Sequence, residues 1–114
     1  MATIKSYTSL EQSKKLAEIL PVESADMRYA PFGDTHPWFW HGHLLEKGAI
    51  PCWSLAALLG ILSFPALRYD IEDGEGGWIV SCEKDDKGYL SYYRDNPVDT
   101  CYDMIIKLHE QKVL

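Results

Sequence analysis

The side chains best suited to chemistry are concentrated in one stretch, Asp34-Thr35-His36-Pro37-Trp38-Phe39-Trp40-His41-Gly42-His43. His41 and His43 are two residues apart, so on a strand both rings would project from one face and could share a metal ion. Imidazole suits zinc, and a working site would draw a third ligand from His36 or Asp34 while keeping one position open for water. The pattern has low specificity. A histidine pair at this spacing recurs by chance, no HExxH or second HxH follows it, and Gly42 weakens the strand. Solvated histidines are the simpler expectation, and an edge that picks up nickel or zinc adventitiously comes next.

Cys52 offers a second kind of chemistry. It stands just ahead of a helix start, where a thiolate is stabilised, and one of His36, His41 and His43 could serve as its base. Against this, it lies between Pro51 and Trp53 and before an all-apolar segment, where a free cysteine usually acts as a small core residue. The acidic run Asp70-Ile71-Glu72-Asp73-Gly74-Glu75 resembles a calcium loop only superficially. Its glycine comes one position early and no closing glutamate follows. There is no GxGxxG, GxxxxGK[ST] or GxSxG motif. The carboxylates fall in turns or on polar faces, so no acid/base pair is suggested. No cofactor is expected.

Trp38, Phe39 and Trp40 carry a third possibility, recognition. On a strand, Trp38 and Trp40 share a face and Phe39 opposes them. One side should enter the core; the simpler expectation for the other is that tertiary packing covers it too, and an exposed binding face is the alternative. Aromatic side chains give large, rigid contact area at low entropic cost. Tyr92 joins this set, because Tyr89, Leu90, Tyr92 and Tyr93 place bulk on both sides of one predicted strand.

These residues need elements to hold them. Residues 9–20 form a helix: Ser9 is the cap, Gln12 its capping-box partner, and Pro21 the stop. Residues 27–32 and 38–44 suggest a hairpin around Gly33-Asp34, placed at a sheet edge by Pro31 and Pro37. Residues 55–62 follow the cap Ser54 as a helix with no polar face, expected at the centre of the core. Ala56, Ala57 and Gly60 would let another element approach it closely. Residues 66–94 alternate as a three-stranded antiparallel meander with turns at 73–77 and 85–88. Asn96 and Pro97 open a last helix whose apolar face is Val98, Cys101, Tyr102, Ile105 and Leu108. The expected class is α+β: a small antiparallel sheet, with the hairpin as a possible addition, packed by three helices in a single domain over residues 1–114.

The chain has 114 residues and a net charge of −6. That length supports one core without metal or disulfide staples. Residues 65–114 hold eleven acids and six bases, against six and five in residues 1–64. Such a chain gains nothing from counterion release on nucleic acid, and the same repulsion disfavours acidic membrane surfaces. A basic partner, or none, is easier to accommodate, and simple solubility is the plainer reading of the charge. Three unpaired cysteines, no CxxC, no secretory signal and no spanning apolar run predict reduced thiols in the cytoplasm.

Three stretches carry a resemblance. They are Tyr7-Thr8-Ser9-Leu10-Glu11-Gln12-Ser13-Lys14-Lys15-Leu16, Ile50-Pro51-Cys52-Trp53-Ser54-Leu55-Ala56-Ala57-Leu58-Leu59, and Pro97-Val98-Asp99-Thr100-Cys101-Tyr102-Asp103-Met104-Ile105-Ile106-Lys107-Leu108-His109-Glu110. Together they are similar to a group of small uncharacterised proteins carried by gut bacteria, their prophages and other mobile elements. The resemblance covers about half the chain and brings no catalytic residues with it. It implies a short accessory gene product. The functional expectation is a non-enzymatic interaction or regulatory domain that binds another protein or itself through Trp38, Phe39, Trp40 and Tyr92. The alternatives are a small metal- or thiol-dependent enzyme built on His36, His41, His43 and Cys52, and a small-ligand sensor.

Overall fold

Side chains at the cap positions fix where the helices begin. In the computed structural model, which describes residues 6–31, 36–40, 47–72, 75–93 and 96–114, helix α1 spans Leu10–Ile19. The Ser9 hydroxyl accepts from the Gln12 amide at 3.2 Å, and the Gln12 side chain accepts from the Ser9 amide at 3.0 Å. Helix α2, Leu55–Ile61, starts where the Ser54 hydroxyl accepts from the Ala57 amide. Helix α3, Pro97–Glu110, is capped by Asn96, whose side chain accepts from the Asp99 amide at 2.8 Å. The starts of α1 and α3 are tied together, since the Gln12 side chain donates to Asp99 at 2.7 Å.

The architecture is α+β, with two separate antiparallel sheets rather than one. The first contains β1 (Met27–Tyr29), β2 (Trp38–Phe39) and β3 (Ile50–Cys52) in the order β2-β1-β3. β1 pairs with β2 through Met27↔Phe39 and Arg28↔Trp38, as the aromatic pattern predicts. β3 is unforeseen, because Pro51 at its centre reads as a helix approach. Proline has no N–H to give a ladder and is tolerated on an edge strand, which β3 is.

The second sheet is the expected meander: β4 (Ala66–Glu72), β5 (Glu75–Lys84) and β6 (Lys87–Tyr93). Its register runs Leu67↔Val80 and Val80↔Ser91. Gly76 and Gly77, expected in a turn, lie inside β5. The Tyr69 ring covers Gly76, with its hydroxyl where a Cβ would stand. Tyr69 also meets Trp78 edge to face at 5.2 Å. The ring thus takes the packing role a side chain at Gly76 would have had.

The central helix is α3, not α2. α3 buries Val98, Cys101, Met104, Ile105 and Leu108 in one core together with Val80 and Cys82 of β5 and with Leu16, Trp53 and Leu58. α2 fully buries Leu58 alone. Ala56 and Gly60 face solvent, and nothing lies within 4 Å of a Cβ built on Gly60. Ala56 and Gly60 therefore form the outer side of α2, and of the three small residues Ala57 alone packs on the core. Among the described residues, no helix is long and apolar enough to cross a membrane.

Candidate functional site

The segment just before α1 holds the first sheet in place through buried polar contacts. The Thr8 amide donates to the Trp53 carbonyl at 2.9 Å, and the Trp53 amide donates back to the Thr8 hydroxyl at 3.2 Å. That hydroxyl also meets Ser13 at 2.7 Å and the Cys52 sulfur at 3.4 Å. The Tyr29 hydroxyl donates to the Thr8 carbonyl at 2.8 Å. Thr8, Ser13, Cys52 and Trp53 are fully buried, so these partners replace water outright.

Asp26 passes this anchorage on to β2. Its carboxylate accepts from both the amide and the hydroxyl of Ser54, the α2 cap. Its backbone carbonyl accepts from the Trp40 amide at 3.0 Å, one residue past β2. Trp40 packs, half-buried, on the main core. Trp38 and Phe39 are left 63% and 73% exposed on the outer strand of the sheet. Trp38 and Trp40, expected to share one face, differ in burial. The assigned strand ends at Phe39, and the Trp40 amide bond to Asp26 continues its register by one more rung.

The remaining candidates are dispersed. His36 is exposed, two residues before β2. Asp34, His41 and His43 lie outside the described residues. Among the described residues, no three His, Cys, Asp or Glu side chains gather where they could hold a metal. Tyr92 lies on β6 opposite Ile79, in the other sheet from Trp38 and Phe39.

Cys52 does not have the surroundings of a nucleophile. Burial pushes its thiol up from the ordinary value, only partly offset by hydrogen bonds from Thr8 and Ser13. It is fully buried. A neutral thiol out of reach of solvent packs and hydrogen-bonds, and attacks nothing. Burial raises Cys82 as well and pushes Cys101 up to about 12. The buried polar cluster has no local signal in the sequence, since Thr8 and Ser13 at the start of α1, Tyr29 on β1 and Cys52 on β3 come from three separate segments. No protein-family model, curated protein or solved structure matches this chain.

Proposed function

We propose that the protein is a non-enzymatic binding domain whose recognition surface is the β2 edge. The observation that carries this is the joint exposure of Trp38 and Phe39 on a strand whose outer side has no partner among the described residues. A free strand edge offers backbone N–H and C=O groups to a further strand. Side chains beside it supply the specificity of such strand addition. At about 150–250 Å² per aromatic side chain, the exposed fractions of 63% and 73% amount to roughly 300 Å². A standard interface takes about 800 Å² from each partner. The pair is therefore the anchor of a contact completed by the backbone of an extended protein segment. The resemblance to accessory proteins of mobile elements fits a role exercised through a partner.

The test is light scattering on a sizing column combined with photo-crosslinking from position 39. Either a dimer or a discrete heterologous adduct is expected, and Trp38→Ala should reduce it while the far-ultraviolet spectrum stays unchanged. A monomer whose adducts match those from exposed Glu110 defeats the proposal.

A further inference from the structure

A second surface lies on the other sheet, well removed in sequence from β2. α3 covers one face of the meander. The opposite face carries Ala66, Arg68, Ile79, Ser81, Glu83 and Leu90, with Leu90 60% exposed. At one end of this sheet is an open groove of about 430 Å³, lined by Phe64, Ala66 and Leu90 among others. Gly88 leaves its floor clear, with nothing within 4 Å of a Cβ built there.

Phe64 is the unusual member. It is 84% exposed and sits at φ 49°, a conformation that large side chains avoid. It also precedes Pro65, which restricts it further. The fold thus holds a large apolar ring in water on a strained backbone with no packing return. Such strain persists where a function requires the placement.

The rim is acidic. Glu83 lines the groove, and an adjoining depression shares Phe64 and Glu83 and adds Ser63, Lys84, Asp85 and Asp86. Asp85 and Asp86 form the two-residue β5–β6 turn at φ 54° and 64°, the positive-φ pair of a type I′ hairpin. The neighbouring ammonium of Lys84 is directed to the Val113 carbonyl at 2.7 Å. Lys84 pairs with Lys87 on the last rung, so both belong to the strand face opposite that of Glu83, although Lys84 also borders the adjoining depression.

We infer that this groove docks a protein segment bearing an apolar anchor residue flanked by lysines or arginines. The anchor packs on Phe64 and Leu90 above Gly88, and the flanking cations meet Glu83, Asp85 and Asp86. This site is separate from the β2 edge and stands or falls independently of it.

The experiment uses the full chain and a short fluorescent peptide of alternating lysine and leucine. Two companion peptides replace lysine by glutamate, or leucine by serine. The lysine–leucine peptide should bind, more weakly as salt rises, and both companions should bind at least about tenfold more weakly. Gly88→Phe fills the groove and should weaken binding about tenfold or more. Phe64→Gly should do the same while melting no lower than the wild type, because it relieves the positive φ. Trp38→Ala should bind like the wild type. The inference is overturned if the lysine–leucine peptide fails to bind, if the lysine–serine peptide binds equally, or if Gly88→Phe and Phe64→Gly both bind unchanged. A dimer that Gly88→Phe dissolves also overturns it, in favour of a second copy on this face.

Discussion

Replacing Thr8 with valine keeps the shape of the side chain and removes the hydroxyl that the Trp53 amide, Ser13 and Cys52 all reach. The Trp53 amide is then left inside the protein with no partner, at a cost of about 1–3 kcal/mol. The Ser13 hydroxyl loses its 2.7 Å bond, worth about 1 kcal/mol. The added methyl group returns about 0.8 kcal/mol. The net loss is about 2 kcal/mol, a large share of the roughly 5–15 kcal/mol that a domain has in total. At about 4 °C per kcal/mol for a domain of this size, the melting temperature should fall by about 8 °C. Urea unfolding at neutral pH measures the loss, which should appear in the midpoint with the slope unchanged. Ser13→Ala on the Thr8→Val background should cost less than it does alone, because its partner is already gone. A Thr8→Val protein within about 0.5 kcal/mol of the wild type would show that these contacts do not anchor the first sheet.

Gly60→Ala should raise stability by about 0.5–1 kcal/mol, since Gly60 is helical, solvent-facing and free of neighbours around its Cβ position; urea midpoints check it. Alkaline pH should destabilise the fold. An unfolded thiol ionises near pH 8.5, whereas native Cys101 holds its proton to about 12. Stability is therefore full below the unfolded value and falls above it by about 1.4 kcal/mol per pH unit for that thiol. Cys101→Ala should start from a lower stability and lose it less steeply with pH, as urea titrations between neutral and alkaline pH would record. All three cysteines are buried, so a thiol reagent at neutral pH should label them only as fast as the protein unfolds.

The helix starts were legible because caps act locally. Ser9 with Gln12, Ser54, and Asn96 with Pro97 each satisfy amides within three residues of themselves. The meander was legible because turn residues separate its strands and because β5 buries Val80 and Cys82 between less buried neighbours, which writes alternation into that strand. Several features depend on contacts between distant segments and leave no such trace. β3 is a strand because Cys52 and Ile50 meet Met27 and Tyr29, and Pro51 alone suggests otherwise. Gly76 is a strand residue because Tyr69 lies over it. α2 looks central by composition, yet α3 takes the centre because its stripe is long enough to face both β5 and α2. At the candidate site, residue type marked the aromatics at 38–40 as a recognition candidate but did not say whether they are exposed. Trp38 and Phe39 are exposed while Trp40 packs on the core, a difference set by core residues distant in the sequence. Phe64 gave no signal, since its exposure and positive φ emerge only once the meander and α2 are in place.

The β2 edge is tested most directly by photo-crosslinking from position 39 in the cells that express the protein, compared with position 110 on the exposed end of α3. A discrete adduct specific to position 39, reduced about tenfold or more by Trp38→Ala, is the predicted result. Equal adduct patterns at the two positions, or a specific adduct indifferent to Trp38→Ala, would contradict it.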